Sequence, residues 1–207
     1  KILPSLAAQG LAVAQSNFGA MYQEGDGVAQ DFVEAIKWHS LAAAQGDALA
    51  QYALGWMHAH GQGVAQDYAE AVKWYQLAAA QDYDAAQSAL GWAYREGQGV
   101  PQNYTEARYW YRLAAAHGDA VAQFNLGTMY DDGLGVAQDY AEAVKWYQLA
   151  AAQNTAEAQF NLGVMYRLGQ GVPLDYAEAV KWYKQAAALG FAAAQSNLQT
   201  MYQERRC

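Results

Sequence analysis

Five Asx-to-Glu pairs spaced three residues apart are the first candidates for chemistry in this chain: Asp31 with Glu34, Asp67 with Glu70, Asn103 with Glu106, Asp139 with Glu142 and Asp175 with Glu178. Two carboxylates held close together can divide acid and base roles. Each pair, however, stands just before a run of helical apolar periodicity. There an Asp or Asn accepts from the free amides of the first turn while a Glu three residues on reaches back, so a capping box explains every pair. Five G-x-G pairs, at Gly25/Gly27, Gly61/Gly63, Gly97/Gly99, Gly133/Gly135 and Gly169/Gly171, invite a phosphate-binding reading. That reading needs a strand before the glycines and a helix opening on them, whereas here they follow a helix and suit its C-cap. His39 and His58 occupy registers held elsewhere by tyrosine, and His60 and His117 have no partner at metal-ligand spacing. The H-x-H at His58 and His60 points one ring to the core and the other to solvent. Cys207 is the last residue, with no adjacent base and no second cysteine. The expectation is a chain with no catalytic site, no metal and no cofactor, hence not an enzyme.

The elements that carry these residues recur every 36 residues. Trp38, Trp74, Trp110, Trp146 and Trp182 form one ladder, and Gly19, Gly55, Gly91, Gly127 and Gly163 another. A fixed period of this length marks a supersecondary unit that buries its apolar face only against copies of itself. In the copy from Asp47 to Gln81, Ala48, Ala50, Gln51, Leu54, Gly55, Met57 and His58 describe one buried face of a first helix, A. A second helix, B, starts at Asp67 and carries Tyr68, Ala71, Val72, Trp74, Tyr75 and Leu77 into an alanine run. Gly10, Gly46, Asp82, Gly118, Asn154 or Gly190 follows that run, and all are types that tolerate the left-handed conformation. Neighbouring helices should therefore be joined by one short turn and run antiparallel. About eleven helical segments and no strand are expected, with the invariant tryptophan ladder in the core.

The motif reads Ala-x-Ala-Gln-x-x-Leu-Gly-x-Met-Tyr-x-x-Gly-x-Gly-Val, then Asp-Tyr-x-Glu-Ala-Val-Lys-Trp-Tyr-x-x-Ala-Ala, most fully over residues 119–151. It resembles the Sel1-like repeat family, relatives of tetratricopeptide repeats. The resemblance implies an all-α, right-handed α/α superhelix, or solenoid, whose A helices line the concave wall and which serves as a scaffold for other proteins. It implies no reaction. Some bacterial members carry a disulfide in each repeat and are linked to β-lactams; with one cysteine this chain departs from them.

The repeats divide the chain as 11–46, 47–82, 83–118, 119–154 and 155–190. Residues 1–10 are the end of a preceding repeat or an N-terminal remnant, and 191–207 a capping helix. In that last helix Gln199 stands in the glycine register, and Arg205 and Arg206 suit a negative helix end. A start at Lys1 rather than methionine leads us to expect an upstream repeat or export segment, and the compartment is left open between exported, periplasmic and other sites. Twenty acidic residues against twelve basic ones give a net charge of -8, the opposite of a basic nucleic-acid stripe. No apolar run approaches the ~18 residues a membrane helix needs.

Positions that pack must repeat between copies, whereas positions that meet a ligand are free to differ. The variable registers of helix A begin at Val13, Ser16, Ala20, Gln23 and Glu24 and fall on one stripe. Later copies place Tyr52, Trp56, Trp92, Arg95, Phe124, Asp131, Phe160 and Arg167 there. The stripe coincides with the face that tetratricopeptide relatives use for extended peptides. Tyr52, Trp56, Trp92, Phe124 and Phe160 are either binding hot spots or packing between A helices. Asn125 and Asn161, with Asn17 and Asn197, would bond either a peptide backbone or a neighbouring helix. Arg95 and Arg167 are either a carboxylate clamp or ordinary surface arginines. The leading expectation is a protein-interaction scaffold holding a peptide or partner helix on this face. The runner-up is a glycan or muropeptide binder using the same aromatics with Asp131, Asp132 and Arg95 around a sugar. A spacer with no binding hot spot is the third.

Overall fold

The computed structural model describes residues 2–203, and the terminal residues Arg205, Arg206 and Cys207 lie outside them. Among the described residues there are twelve α-helices and no strand: α1 (Ile2–Ala8), α2 (Ala12–Glu24), α3 (Phe32–Ala43), α4 (Ala48–His60), α5 (Tyr68–Ala79), α6 (Asp84–Glu96), α7 (Tyr104–Ala116), α8 (Ala120–Asp132), α9 (Tyr140–Ala152), α10 (Ala156–Leu168), α11 (Tyr176–Ala188) and α12 (Ala192–Gln203). One more helix is present than the sequence predicts, because the opening tail forms α1. The chain falls into two compact units, Lys1–Ala107 and Arg108–Cys207. In the first, α1 through α6 pack each on the next. In the second, α8 through α12 do the same.

The helix boundaries follow local chemistry. At the start of α5 the Asp67 carboxylate accepts from the Glu70 amide at 3.0 Å, and Asp31, Asp139 and Asp175 cap α3, α9 and α11 in the same way. Asn103 caps α7 by accepting from Thr105 and Glu106. The return half of the expected capping box is absent. The Asp67 amide donates instead to the His58 carbonyl at the end of α4, 2.9 Å away, and the same bond recurs at Asp31, Asn103, Asp139 and Asp175. With that amide occupied, Glu70 turns outward to Lys73 at 2.7 Å, as Glu34, Glu142 and Glu178 do to Lys37, Lys145 and Lys181. Glycine C-caps close α2, α4, α6, α8 and α10 as expected, Gly61 at φ 65° with its amide on the Met57 carbonyl. The turns after the B helices use the left-handed conformation even without glycine, at Asp82 (φ 59°) and Asn154 (φ 62°).

The cores correct the expected interior. The tryptophans are half-buried, not core, although every ladder indole N–H is itself buried without a hydrogen-bond partner among the described residues. Trp74 lies against the cluster of Ala42, Ala43, Ala50 and Leu54, so it seals the joint to the preceding repeat. The buried ladder is the next residue along: Tyr75, Tyr111, Tyr147 and Tyr183, with His39 in the first repeat. The A-helix glycine exists for that ring. A Cβ on Gly55 would lie 2.6 Å from Tyr75 Cδ1 and Cε1, and one on Gly163 equally close to Tyr183. The close approach is thus a ring on a backbone rather than backbone on backbone. Among the described residues no ring is placed on Gln199, which stands in the glycine register.

Polar ties run through the same interiors. Gln51 is buried and donates to the Ala43 carbonyl at 3.3 Å, while Gln81 of the following helix donates to Gln51 Oε1 at 2.8 Å. Gln15 with Gln45 and Gln123 with Gln153 repeat the tie. In these three repeats the buried amides are paired this way, whereas Gln87 in the same register has no partner at either amide atom among the described residues.

Candidate functional site

Three of the expected binding residues meet in the first unit. Tyr52 and Trp56 on α4 and Trp92 on α6 line a cleft of about 340 Å³ together with Tyr68 and Tyr75 of α5, Ala59, His60, Gln66 and Ala89. Trp92 keeps 39% of its surface exposed, while Trp56 and Tyr52 are half-buried. Helical spacing explains the meeting: Trp56 and Trp92 share a register one repeat apart, and Tyr52 sits one turn before Trp56. The rings hold one another in place. His60 stacks on Trp56 with centroids 4.2 Å apart and its Nδ1 lies 2.8 Å from the Trp56 carbonyl. Tyr68 tilts toward Trp92 at 6.3 Å, and the Gln66 amide donates to the Tyr68 hydroxyl at 2.9 Å. The sequence reading placed His60 on the same stripe and missed Tyr68, Tyr75 and Gln66 as neighbours of this cleft. Tyr68 and Tyr75 belong to helix B, where the stripe argument never looked.

Arg95 stands outside this cleft lining. It pairs with the adjacent Glu96 at 2.7 Å, and its backbone carbonyl accepts from Gln102. Nor does Tyr52 point only outward, since its ring tilts onto Tyr75 at 5.8 Å and Tyr83 at 5.3 Å.

In the second unit the remaining candidates lean inward. Phe124 tilts onto Tyr147 at 5.9 Å, and Phe160 onto Tyr183 and Phe191 at 5.6 and 5.1 Å. This register therefore packs on the buried tyrosine of its own repeat, as Tyr52 does on Tyr75. Asn125 is buried and donates to the Val121 carbonyl of its own helix at 2.9 Å, a partner that neither expected reading named. Asp131 accepts from the Tyr147 hydroxyl at 3.2 Å. Burial raises the pKa of Asp131, the Tyr147 bond opposes the shift and Asp132 adds to it. Burial likewise raises Tyr147, whose hydroxyl also faces Thr128 and Asn161. Tyr183 is raised by burial, against the opposing influence of Asn197 and Arg167. Every tyrosine with a resolved shift is thus held protonated, the reverse of an activated nucleophile. No group of three or more potential metal ligands occurs among the described residues. No helix among them is long and apolar enough to cross a membrane.

A model of the Sel1 repeat matches residues 12–47, 48–83, 84–119, 120–155 and 156–191, five consecutive copies. The chain belongs to the Sel1 repeat family. Proteins of this family generally mediate protein–protein interactions and are generally non-enzymatic scaffolds. Among solved structures, the chain is similar to a protective antigen of uropathogenic Escherichia coli with an SLR fold, at 39% identity and a TM-score of 0.92. That match covers 98% of this chain but 43% of the antigen, so the chain spans under half of that protein. A Sel1 repeat protein from Oxalobacter formigenes is also 39% identical, with a TM-score of 0.88, over 94% of this chain and 78% of the other. A putative Sel1 repeat protein from Klebsiella pneumoniae shares the fold at 20% identity, a TM-score of 0.63 and 98% coverage of both chains. No curated protein matches the chain.

Proposed function

We propose that this Sel1 repeat chain is a non-enzymatic scaffold that holds a segment of a partner protein, extended or helical, against its A-helix aromatics, with Trp56 and Trp92 as anchors. The observation that carries the reading is the cleft of about 340 Å³ walled by five aromatic rings, with Trp92 left 39% exposed at a register that differs from copy to copy. Large aromatics that are pre-positioned and incompletely covered are what binding hot spots are made of. Their rings are already fixed by His60, Tyr68 and Gln66, so a ligand that stacks on them orders few side chains. The cleft lining holds no carboxylate and no arginine, the polar partners a sugar ring would want, which favours a peptide over a saccharide.

The test is capture of partners from the native source, followed by titration of the captured ligand with wild type and with Trp56→Ala/Trp92→Ala. The double variant should keep its helical signal and bind more weakly by about 2 kcal/mol or more, roughly thirtyfold. Equal affinities would refute the aromatic anchor. A captured saccharide would replace the peptide reading with a glycan-binding one.

A further inference from the structure

The first repeat breaks a rule that the second, fourth and fifth keep. In the second, fourth and fifth repeats a tyrosine ring lies over the A-helix glycine, Tyr75 on Gly55, Tyr147 on Gly127 and Tyr183 on Gly163. In the first repeat the imidazole of His39 takes that place, where a Cβ on Gly19 would be 2.9 Å from His39 Nδ1 and Cε1. An imidazole covers only the near part of a phenol's footprint, so the far edge of the ring and its hydroxyl have no counterpart. At that end a cleft of about 270 Å³ opens between Ala20, Tyr52 and Trp56 on its apolar side and His39, Gln23 and Glu24 on its polar side. His39 is 1% exposed, and neither ring nitrogen has a hydrogen-bond partner among the described residues. Buried donors and acceptors are almost always paired, so an orphaned pair lining an open cleft asks for a ligand. Burial lowers the His39 pKa to about 4, so at neutral pH the ring offers one donor and one acceptor.

We propose that this cleft is a subsite for a phenol, the tyrosine side chain of a partner polypeptide, seated where the first repeat lacks its own. The chain itself shows how such a group is held. The Tyr147 hydroxyl lies against Asp131 and Thr128, and the same registers in the first repeat hold Gln23 and Ala20, both in the cleft wall. A hydroxyl both donates and accepts, so it can satisfy either nitrogen of a neutral imidazole, whereas an ammonium would meet only the acceptor. Phosphate and carboxylate groups are disfavoured by Glu24 at the wall and by the net charge of -8. The subsite rests on the preceding reading in one respect: Tyr52 and Trp56 line both clefts, so one bound segment would supply the occupants of each.

The experiment titrates the whole chain with N-acetyltyrosinamide and with N-acetylphenylalaninamide. The readout is the ring resonances of His39, compared with those of His58, His60 and His117. The expected result is a saturable shift at His39 with the phenol, about tenfold or more tighter than with the phenyl analogue. His39→Tyr fills the cleft with the chain's own phenol, so it should melt higher than wild type and lose probe binding by about tenfold or more. No response at His39, equal binding of the two probes, or undiminished binding to a folded His39→Tyr variant would each overturn the proposal. The two-probe comparison decides the matter on the wild-type chain if that variant does not fold. Trp92→Ala separates the two readings, because Trp92 lines only the neighbouring cleft. Its loss should weaken partner capture and leave the His39 titration unchanged. Undiminished capture by Trp92→Ala with a normal His39 titration counts against the aromatic anchor alone, and weakened capture with no His39 response in wild type against the phenol subsite alone.

Discussion

The glycine beneath each tyrosine ring offers a sharp test of the packing, because substituting it sets two effects of known size against each other. Gly127→Ala adds a methyl in the middle of α8, where alanine is favoured over glycine by about 1 kcal/mol from helix propensity alone. The added Cβ would lie 2.5 Å from Tyr147 Cδ1 and Cε1 and 3.1 Å from Cγ. Ordinary contact begins near 3.4 Å, so the ring must retreat by close to 1 Å. Tyr147 has nowhere to go: it is fully buried, and its hydroxyl bonds Asp131 and Thr128. Overpacking of this kind costs about 1–3 kcal/mol, and a rigid, tethered ring places it toward the upper end. The net expectation is a loss of about 1–2 kcal/mol, or a melting temperature lowered by about 2–8 °C for a domain of this size. Urea unfolding followed by circular dichroism measures it, with Tyr147→Leu and the double variant completing a cycle. The double variant should be less damaged than the sum of the singles by about 1 kcal/mol, because the new methyl fills part of the space the ring leaves. A Gly127→Ala variant that is more stable than wild type would show propensity acting alone, and the ring-on-glycine account would be wrong.

Two further outcomes follow from the same interiors. His39 has its pKa lowered from 6.5 to about 4 by burial, with Asp47 acting in the opposite sense. The unfolded chain therefore takes up the proton first as pH falls. This contribution is complete above pH 6.5 and is lost between there and about 4, with a size on the order of 3 kcal/mol. Unfolding free energies at several pH values should show that slope in wild type and lose it in His39→Tyr; parallel curves would mean the ring is solvated. Trp182, half-buried against the cluster of Ala143, Tyr147 and Leu162, should cost about 2–3 kcal/mol as alanine and about 1 as phenylalanine, since its buried N–H has no partner to lose. Urea unfolding of both variants checks this, and an alanine loss below 1 kcal/mol would place the tryptophan outside the joint.

Periodicity made the helices legible and left their contacts unread. The two helices per repeat, the glycine C-caps and the left-handed turn at Asp82 and Asn154 all follow from residue types at fixed spacing, because backbone conformation there is a local matter. What spacing cannot say is which of two adjacent recurring aromatics faces in. Trp74 and Tyr75 both repeat, and the larger one is half-buried while the smaller is sealed. Only the pairing with Gly55 across two helices decides it. The same blindness left Phe124 and Phe160 open between ligand face and packing. They vary between copies, but they vary at a register that leans on the tyrosine beneath. Glu70 failed the expected capping box for an equally non-local reason, the carbonyl of His58 arriving first at the Asp67 amide.

Variation between copies therefore needs dividing before it can point to a ligand. One kind compensates inside a repeat, as where Thr128 and Asp131 meet the Tyr147 hydroxyl. The other kind leaves something unanswered: Trp92 with its face uncovered, or His39 with both nitrogens orphaned. Unpartnered buried atoms occur elsewhere too, at Gln87 and Gln159 for example, but Trp92 and His39 also line clefts. Both occur in the first unit, on walls of clefts that share Tyr52 and Trp56. That sharing makes a concrete demand on any partner. A segment that stacks an apolar side chain between Trp56 and Trp92 should carry a tyrosine within reach of His39, and one lacking it should bind through the first cleft alone.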